Sequence, residues 1–373
     1  MKKNTLLTTF LIFLMLILLL FPNLCLQSAQ KGLLLWFNKV LPSLLPFMIL
    51  INILVPLDGL KKVTYLSTPF TKKIWHLPGY SFSTFIMGLI AGYPMGAKVV
   101  KQLYNDHKLT KEEAETTLCF SNNCGPLFII GTIGTAMLSC TSLGYFLFFI
   151  HLVSALLMSL LVTRNVPSSA ASFTSRTDSE PISFSTLLNQ GVMNAMDTIV
   201  CVGGYIILFS VLTNILTEAP FAKAVIDSVF HTSTAKLVFA SLLGGLLELS
   251  NGSYLLSTLP SSIYTLAAIS AVIGFGGLCV YFQTLYVLEG SELSTKRYFI
   301  SKSLQGLLSF GLTLILYPFY VLYTQSTSFT FSTPILGIGI LVVSIVIFLT
   351  FFTLNSSNHS LQLSHHEMTP HKN

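Results

Sequence analysis

Gly88-Leu89-Ile90-Ala91-Gly92-Tyr93-Pro94-Met95-Gly96-Ala97 and Gly244-Gly245-Leu246-Leu247-Glu248-Leu249-Ser250-Asn251-Gly252-Ser253 decide how this chain is read. Each stretch has glycines eight positions apart, an apolar first half, and a tip of helix-breaking or polar residues. Inside a bilayer, backbone released from a helix is tolerated only where protein or a water-filled cavity covers it. Interrupted hydrophobic segments at corresponding places in two halves point to the binding site of a transporter. The pair predicts two re-entrant hairpins, one in each of two inverted repeats.

Working outward, composition places the rest of the chain in the membrane as well. Only 9% of the 373 residues are charged and 52% are hydrophobic, against about a quarter charged in a soluble domain. The net charge of +6 does not mark a nucleic-acid face, because the charges lie in loops between apolar runs. The six cysteines, Cys25, Cys119, Cys124, Cys140, Cys201 and Cys279, form no CxxC pair and read as packing residues. Four histidines, His359, His365, His366 and His371, fall in a polar tail that reads as a frayed, solvated terminus. Lys2-Lys3 and the apolar run after Leu6 resemble a signal peptide. The run is long, however, and Gln27 does not suit a cleavage site, so an uncleaved first span is expected.

Hydropathy yields about eight spans able to cross a ~30 Å hydrocarbon core: residues 5–22, 34–55, 117–138, 142–162, 187–216, 262–288, 303–324 and 334–354. The fold class is therefore all-α and polytopic, with the two hairpins near 82–97 and 237–252. With both termini inside, Lys2, Lys3, Lys61, Lys62, Lys72, Lys73, Lys98, Lys101, Lys108, Lys111, Arg164, Arg176, Lys296, Arg297, Lys302 and Lys372 fall on the cytoplasmic side. Lys31, Lys223 and Lys236 fall outside, and Lys39 lies within a span. The bias is strongly positive-inside. A full crossing at 82–97 would move the Lys98–Lys111 cluster outside, so the hairpin reading is preferred.

The domain plan follows. Residues 1–31 hold the first span and an external loop, 32–162 repeat 1, 163–186 a cytoplasmic linker rich in Ser, Ala and Thr, 187–324 repeat 2, and 325–373 the last span and polar tail. Each repeat has three spans and a hairpin; three is odd, so the second unit enters the membrane from the opposite side. Gly32 matches Gly191, Gly88 and Gly96 match Gly244 and Gly252, and Gly125 falls near Gly277. Thr110 and Glu113 read as a capping box opening the helix before the third span.

Glu248 is the sharpest candidate for chemistry, since an acid at membrane depth is costly unless paired, hydrated or protonated. It reads as a proton or cation coupling site or a hydrogen-bond acceptor for substrate, with capping of the hairpin backbone as the structural alternative. Ser121-Asn122-Asn123-Cys124-Gly125-Pro126 interrupts the third span. Gly125 permits unusual backbone angles and Pro126 suits the first turn of a new helix. The half-helix after it directs its N-terminal N–H groups inward, which suits an anion. Tyr93 could stack on a planar ring, and Asn251 and Ser253 belong to the second hairpin. The expected substrate-binding set is Tyr93, Asn122, Asn123, Gly125, Glu248, Asn251 and Ser253, with Lys39, Asp197 and Gln283 secondary. Lys39 and Asp197 could also pair or snorkel. His151 reads as a helix-to-helix hydrogen bond. No Walker loop or GxGxxG is present, and no enzyme, cofactor or metal site is expected.

Gly32-Leu33-Leu34-Leu35-Trp36-Phe37-Asn38-Lys39-Val40-Leu41-Pro42, Ala91 to Lys98 and Ser121 to Ile129 together resemble the sporulation integral membrane proteins of the YlbJ type. These belong to the nucleoside-recognition (Gate) domain proteins, and the likeness covers about residues 20–325. The resemblance implies a membrane protein of endospore-forming bacteria, made in the mother cell. It also implies movement of dipicolinic acid across the outer forespore membrane. The expected partners are a small anionic substrate, the lipid bilayer and a coupling ion, H+ or Na+. No nucleic acid is expected, and a homo-oligomer stays open. Two alternatives stand beside this carrier: a nucleoside or ion permease, and a non-transporting scaffold for spore-envelope assembly. The lack of clustered His, Cys or carboxylate ligands weighs against a metal.

Overall fold

The computed structural model describes residues 2–56, 61–164 and 183–326. The predicted eighth span at 334–354, the polar tail and most of the linker lie outside these. Two compact units divide after Tyr320; of the second, the described part is helix up to Ser326.

The described chain is all helical. α1 (Lys2–Leu20) is followed by α2 (Pro22–Leu35), a π-helical segment Trp36–Val40 and α3 (Leu41–Leu54), which together make one continuous helix. The external loop expected after the first span is thus helix. Pro22 opens it in the first turn, where its missing N–H costs nothing. No breaker follows before Gly32, and Gly32 is itself buried in the packing. Pro42 and Pro46 withdraw N–H groups from the ladder, and the helix widens to π pitch just before them.

Next come α4 (Lys61–Ile74), α5 (Gly79–Ala91), α6 (Met95–Asn105) and α7 (Lys111–Ser121). An extended break and a π-helical segment Leu127–Met137 follow, then α8 (Thr141–Thr163). The same order then recurs: the long α9 (Phe184–Glu218), the short α10 (Pro220–Val229), the paired α11 (Ser233–Leu247) and α12 (Leu249–Ser257), the broken α13 (Ile263–Phe275) and α14 (Gly277–Leu288), and the long α15 (Lys296–Ser326). In each half a long helix leads, a short amphipathic helix follows, and a hairpin and a broken helix precede the closing long helix. Among the described residues, five helices are long and apolar enough to cross a membrane: Pro22–Leu54, Thr141–Thr163, Phe184–Glu218, Ile263–Leu288 and Lys296–Leu322. Large apolar side chains such as Phe13, Leu161, Leu208, Leu246 and Leu307 are exposed, as a lipid-facing surface requires and a water-facing one does not favour.

The leading helices of the two halves run antiparallel, as inverted repeats demand. A Cβ on Gly32 would meet Ser210 of α9, while one on Gly191 of α9 would meet Ile53 of α3. The two glycines matched in the sequence therefore make reciprocal contacts. The Trp36 indole N–H donates to the Ile199 carbonyl at 3.1 Å and locks the crossing. The closing helices repeat this relation. Ser154 lies as far into α8 as Ser309 lies into α15, and their hydroxyls bond at 2.9 Å.

The hairpins explain the eight-residue glycine spacing. A Cβ on Gly88 or on Gly96 would overlap the Ser121 carbonyl, so both arms of α5–α6 press on the end of α7. A Cβ on Gly252 would overlap Gly245 across α11–α12. The predicted capping box is present: the Thr110 hydroxyl accepts from Glu113 N–H at 3.3 Å and the Glu113 carboxylate accepts from Thr110 N–H at 2.8 Å.

Candidate functional site

Both hairpin tips and the first break end at one place. Gly92, at φ +81, turns the first tip and brings Tyr93 inward. Glu248, extended, is the single residue between α11 and α12. Asn122 to Gly125 leave the helix between α7 and the π segment. A cavity of about 40 Å³ lies among them. Its walls include Tyr93, Cys124 and Gly125 from the first half and Glu248, Ser250 and Gln283 from the second. The apolar sides come from Val40 and Leu44 of one leading helix and Val202 and Ile206 of the other. Such a space holds a few waters and is far below the several hundred Å³ of a ligand pocket. In this conformation the space is too small for such a ligand.

Of the predicted residues, Tyr93, Gly125 and Glu248 reach the cavity, joined by Gln283 from the secondary set. The Glu248 carboxylate accepts from Ser250 N–H at 2.9 Å and Asn251 N–H at 2.6 Å, so it caps α12 while facing the cavity. Asn122 sits behind the wall: its amide donates to Thr284 Oγ1 at 3.0 Å and Tyr298 OH at 2.9 Å, tying α7 to α14 and α15. Asn123 donates to the Phe120 carbonyl at 2.6 Å. Asn251 turns away to Ser210 Oγ at 2.6 Å. The Ser253 hydroxyl is buried without a partner among the described residues. His151 of α8, expected to bond helix to helix, bonds the helix break instead: its Nε2 accepts from Cys124 N–H at 3.1 Å.

Lys39 is exposed on its π segment and Asp197 is exposed on α9; no ion pair joins them among the described residues. Asp197 instead borders a second, open space of about 580 Å³ together with Lys98, Lys101 and Glu289. Lys98 is anchored there, donating to the Asn194 carbonyl at 2.8 Å and Thr198 Oγ1 at 2.9 Å.

One buried polar group escapes the sequence reading altogether. Lys302, counted with the cytoplasmic loop charges, is 1% exposed within α15. Its ammonium donates to Gln305 Oε1 at 2.6 Å, the Asn122 carbonyl at 3.0 Å and Asn123 Oδ1 at 3.4 Å. It also stands 5.1 Å from the centroid of the Tyr93 ring. Among the described residues no carboxylate pairs with it. A buried cation without a counter-charge is costly, which makes Lys302 a candidate for a functional role. The signal was in the sequence: Tyr298, Lys302, Gln305, Ser309 and Thr313 form a polar stripe at helical spacing, and all five are buried.

A family model described as nucleoside recognition, named Gate, matches residues 37–139. The sporulation integral membrane protein YlbJ of Bacillus subtilis (strain 168) is 30% identical over 359 residues, covering 88% of this chain and 87% of that protein. The chain belongs to the YlbJ family. It is an integral membrane protein related to a sporulation protein. Within this family framework, Tyr93, Asn122, Asn123 and Gly125 lie in the Gate-matched segment, whereas Glu248 and Lys302 lie beyond it. No solved structure matches the chain.

Proposed function

We propose that this protein is a secondary carrier for a small organic anion, dipicolinic acid, acting at the outer forespore membrane to export it from the mother cell. The observation that carries the reading is the cavity at the meeting point of two inverted repeats, walled by both hairpin tips and a helix break. Interrupted segments converging on one point are the architecture of alternating access. A scaffold has no need of such breaks at membrane depth. The uncompensated Lys302 ammonium adds positive charge behind the cavity wall. Membership in a sporulation family supplies the biological setting. No catalytic step is assigned; an H+ or Na+ gradient drives transport, with Glu248 as the coupling acid.

The description of the matched Gate segment as nucleoside recognition favours one other reading, a nucleoside permease. The deciding experiment is flux into vesicles carrying the purified protein. Labelled dipicolinate should accumulate, resist competition by a nucleoside, and compete only weakly with an unrelated dicarboxylate. Uptake of the nucleoside without dipicolinate selects the permease; no flux of any solute selects a scaffold.

A further inference from the structure

The Tyr93 ring stands at the boundary between two features that belong together chemically. It lines the cavity, and it carries the Lys302 ammonium 5.1 Å from its centroid. Lys302 does not itself reach the cavity. Every oxygen around the ammonium, from Asn122, Asn123 and Gln305, is a neutral amide oxygen. Among the described residues, the groups near it on neighbouring elements, Tyr93, Cys119, Cys124 and His151, include no carboxylate: Tyr93 offers a ring face and His151 Nε2 is committed to Cys124 N–H. The site thus holds a buried amine whose protonated form is hydrogen-bonded to neutral oxygens and has no counter-charge of its own. The ligand chemistry that completes it is a carboxylate.

We propose that Lys302 is the counter-charge for one carboxylate of the transported anion, reached when the Tyr93 ring moves off its ammonium. This rests on the anion-carrier reading. Two carboxylates of a planar ring then have separate holders: Lys302 takes one, and the N–H groups at the first helix break take the other. In the structure, where the cavity measures only about 40 Å³, the ring separates the two. Moving the ring joins them into a single dicarboxylate site, so Lys302 sets the preference for two carboxylates over one.

The test compares dipicolinate with picolinate, which lacks the second carboxylate, in vesicles carrying full-length protein. In Lys302→Gln the KM for dipicolinate should rise about tenfold or more while that for picolinate moves less than about twofold, erasing the preference. An unchanged ratio of the two KM values overturns the assignment and leaves Lys302 as a packing residue. Because the Lys302→Gln chain could misfold, Tyr93→Ala provides a second route that keeps the lysine. There Lys302 should become reactive to a small amine-modifying reagent, and dipicolinate should protect it, as read by mass spectrometry of the modified peptide. Modification that dipicolinate does not slow, or a lysine that stays inert, counts against the proposal. Wild-type vesicles that move neither acid sink the carrier reading together with this one, whereas a failure confined to the variants sinks only the role of Lys302.

Discussion

The two broken helices answer one backbone problem with different chemistry. In the first half, Asn122 to Gly125 leave the helix; the Cys124 N–H donates to His151 and the Asn122 carbonyl accepts from Lys302. The Asn122 side chain bonds Thr284 and Tyr298, and the Asn123 side chain bonds Lys302 and Gln305. In the second half, Gly276 and Gly277 turn the chain at φ +87 and +80, with no polar side chain of their own. The hairpins reverse the pattern. The first tip is Gly92, Tyr93 and Pro94, whereas the second is a single carboxylate, Glu248, capping its own helix. The two halves therefore share the backbone breaks and not the side chains at them. The result is a cavity with a lysine behind one wall and a carboxyl group in the other.

The shared part of that comparison carries the largest expected effect. Gly96→Ala and Gly252→Ala each place a methyl group where backbone already stands, Ser121 in one case and Gly245 in the other. Overlap with backbone cannot be relieved by a rotamer change, so each should cost more than about 3 kcal/mol. Both proteins should fail to accumulate in the membrane or melt far below wild type. Gly204→Ala, with nothing within 4 Å of the added carbon, should stay within about 0.5 kcal/mol. If Gly96→Ala melts with the wild type, the hairpin does not pack on the broken helix and the correspondence between halves fails there.

The divergent part comes next. Asn123→Ala removes an acceptor from both Lys302 and Gln305, and leaving a buried charge under-solvated costs about 2–4 kcal/mol. Its counterpart, Gly276→Ala, forces a side chain to φ +87 at about 1–2 kcal/mol. The first break should be the more sensitive of the two in thermal melting of the purified proteins. Equal losses would mean that the polar ties contribute nothing beyond backbone geometry.

What was legible in the sequence divides along the same line. Backbone events leave local marks, so Gly88, Gly96, Gly244, Gly252, Gly125 and Pro126 pointed to the hairpins and the break directly. The reciprocal contacts of Gly32 and Gly191 likewise sit where their matched positions implied. Side-chain direction at a helix end was less legible. Asn251 has the residue type of a ligand group, but the helical turn after Glu248 points it at Ser210. Lys302 was hidden by its neighbours, since Lys296 and Arg297 make the region resemble a charged loop. Only the period of the polar stripe, and not the residue count of an apolar window, distinguishes a buried face from a span boundary. The same window method missed the continuity of α2 with α3, because Gln27, Gln30 and Lys31 lower hydropathy without breaking a helix.

Glu248→Gln probes the second hairpin with a smaller structural cost. One amide oxygen can still accept from Ser250 or Asn251 N–H, but the charge that strengthens both bonds is lost. About 1 kcal/mol of stability should go, with the protein still present in the membrane. Dipicolinate flux should fall at least about tenfold and lose its dependence on the ion gradient. Flux that stays gradient-driven would reduce Glu248 to its cap and shift coupling elsewhere.

Tyr93→Phe should do least, and it isolates what the first hairpin contributes. The phenol oxygen donates to the Ile273 carbonyl at 3.4 Å, longer than a well-formed O–H···O bond, so losing it should cost no more than about 0.5 kcal/mol. The ring is kept, and with it the face over Lys302 and the cavity wall. If the first tip acts as a movable aromatic partition, melting temperature and dipicolinate KM should both stay within about twofold or a degree or two of wild type. A large rise in KM with unchanged melting would show that the hydroxyl contacts substrate. The first hairpin would then supply a polar group after all, and the contrast between a ring at one tip and a carboxylate at the other would fall.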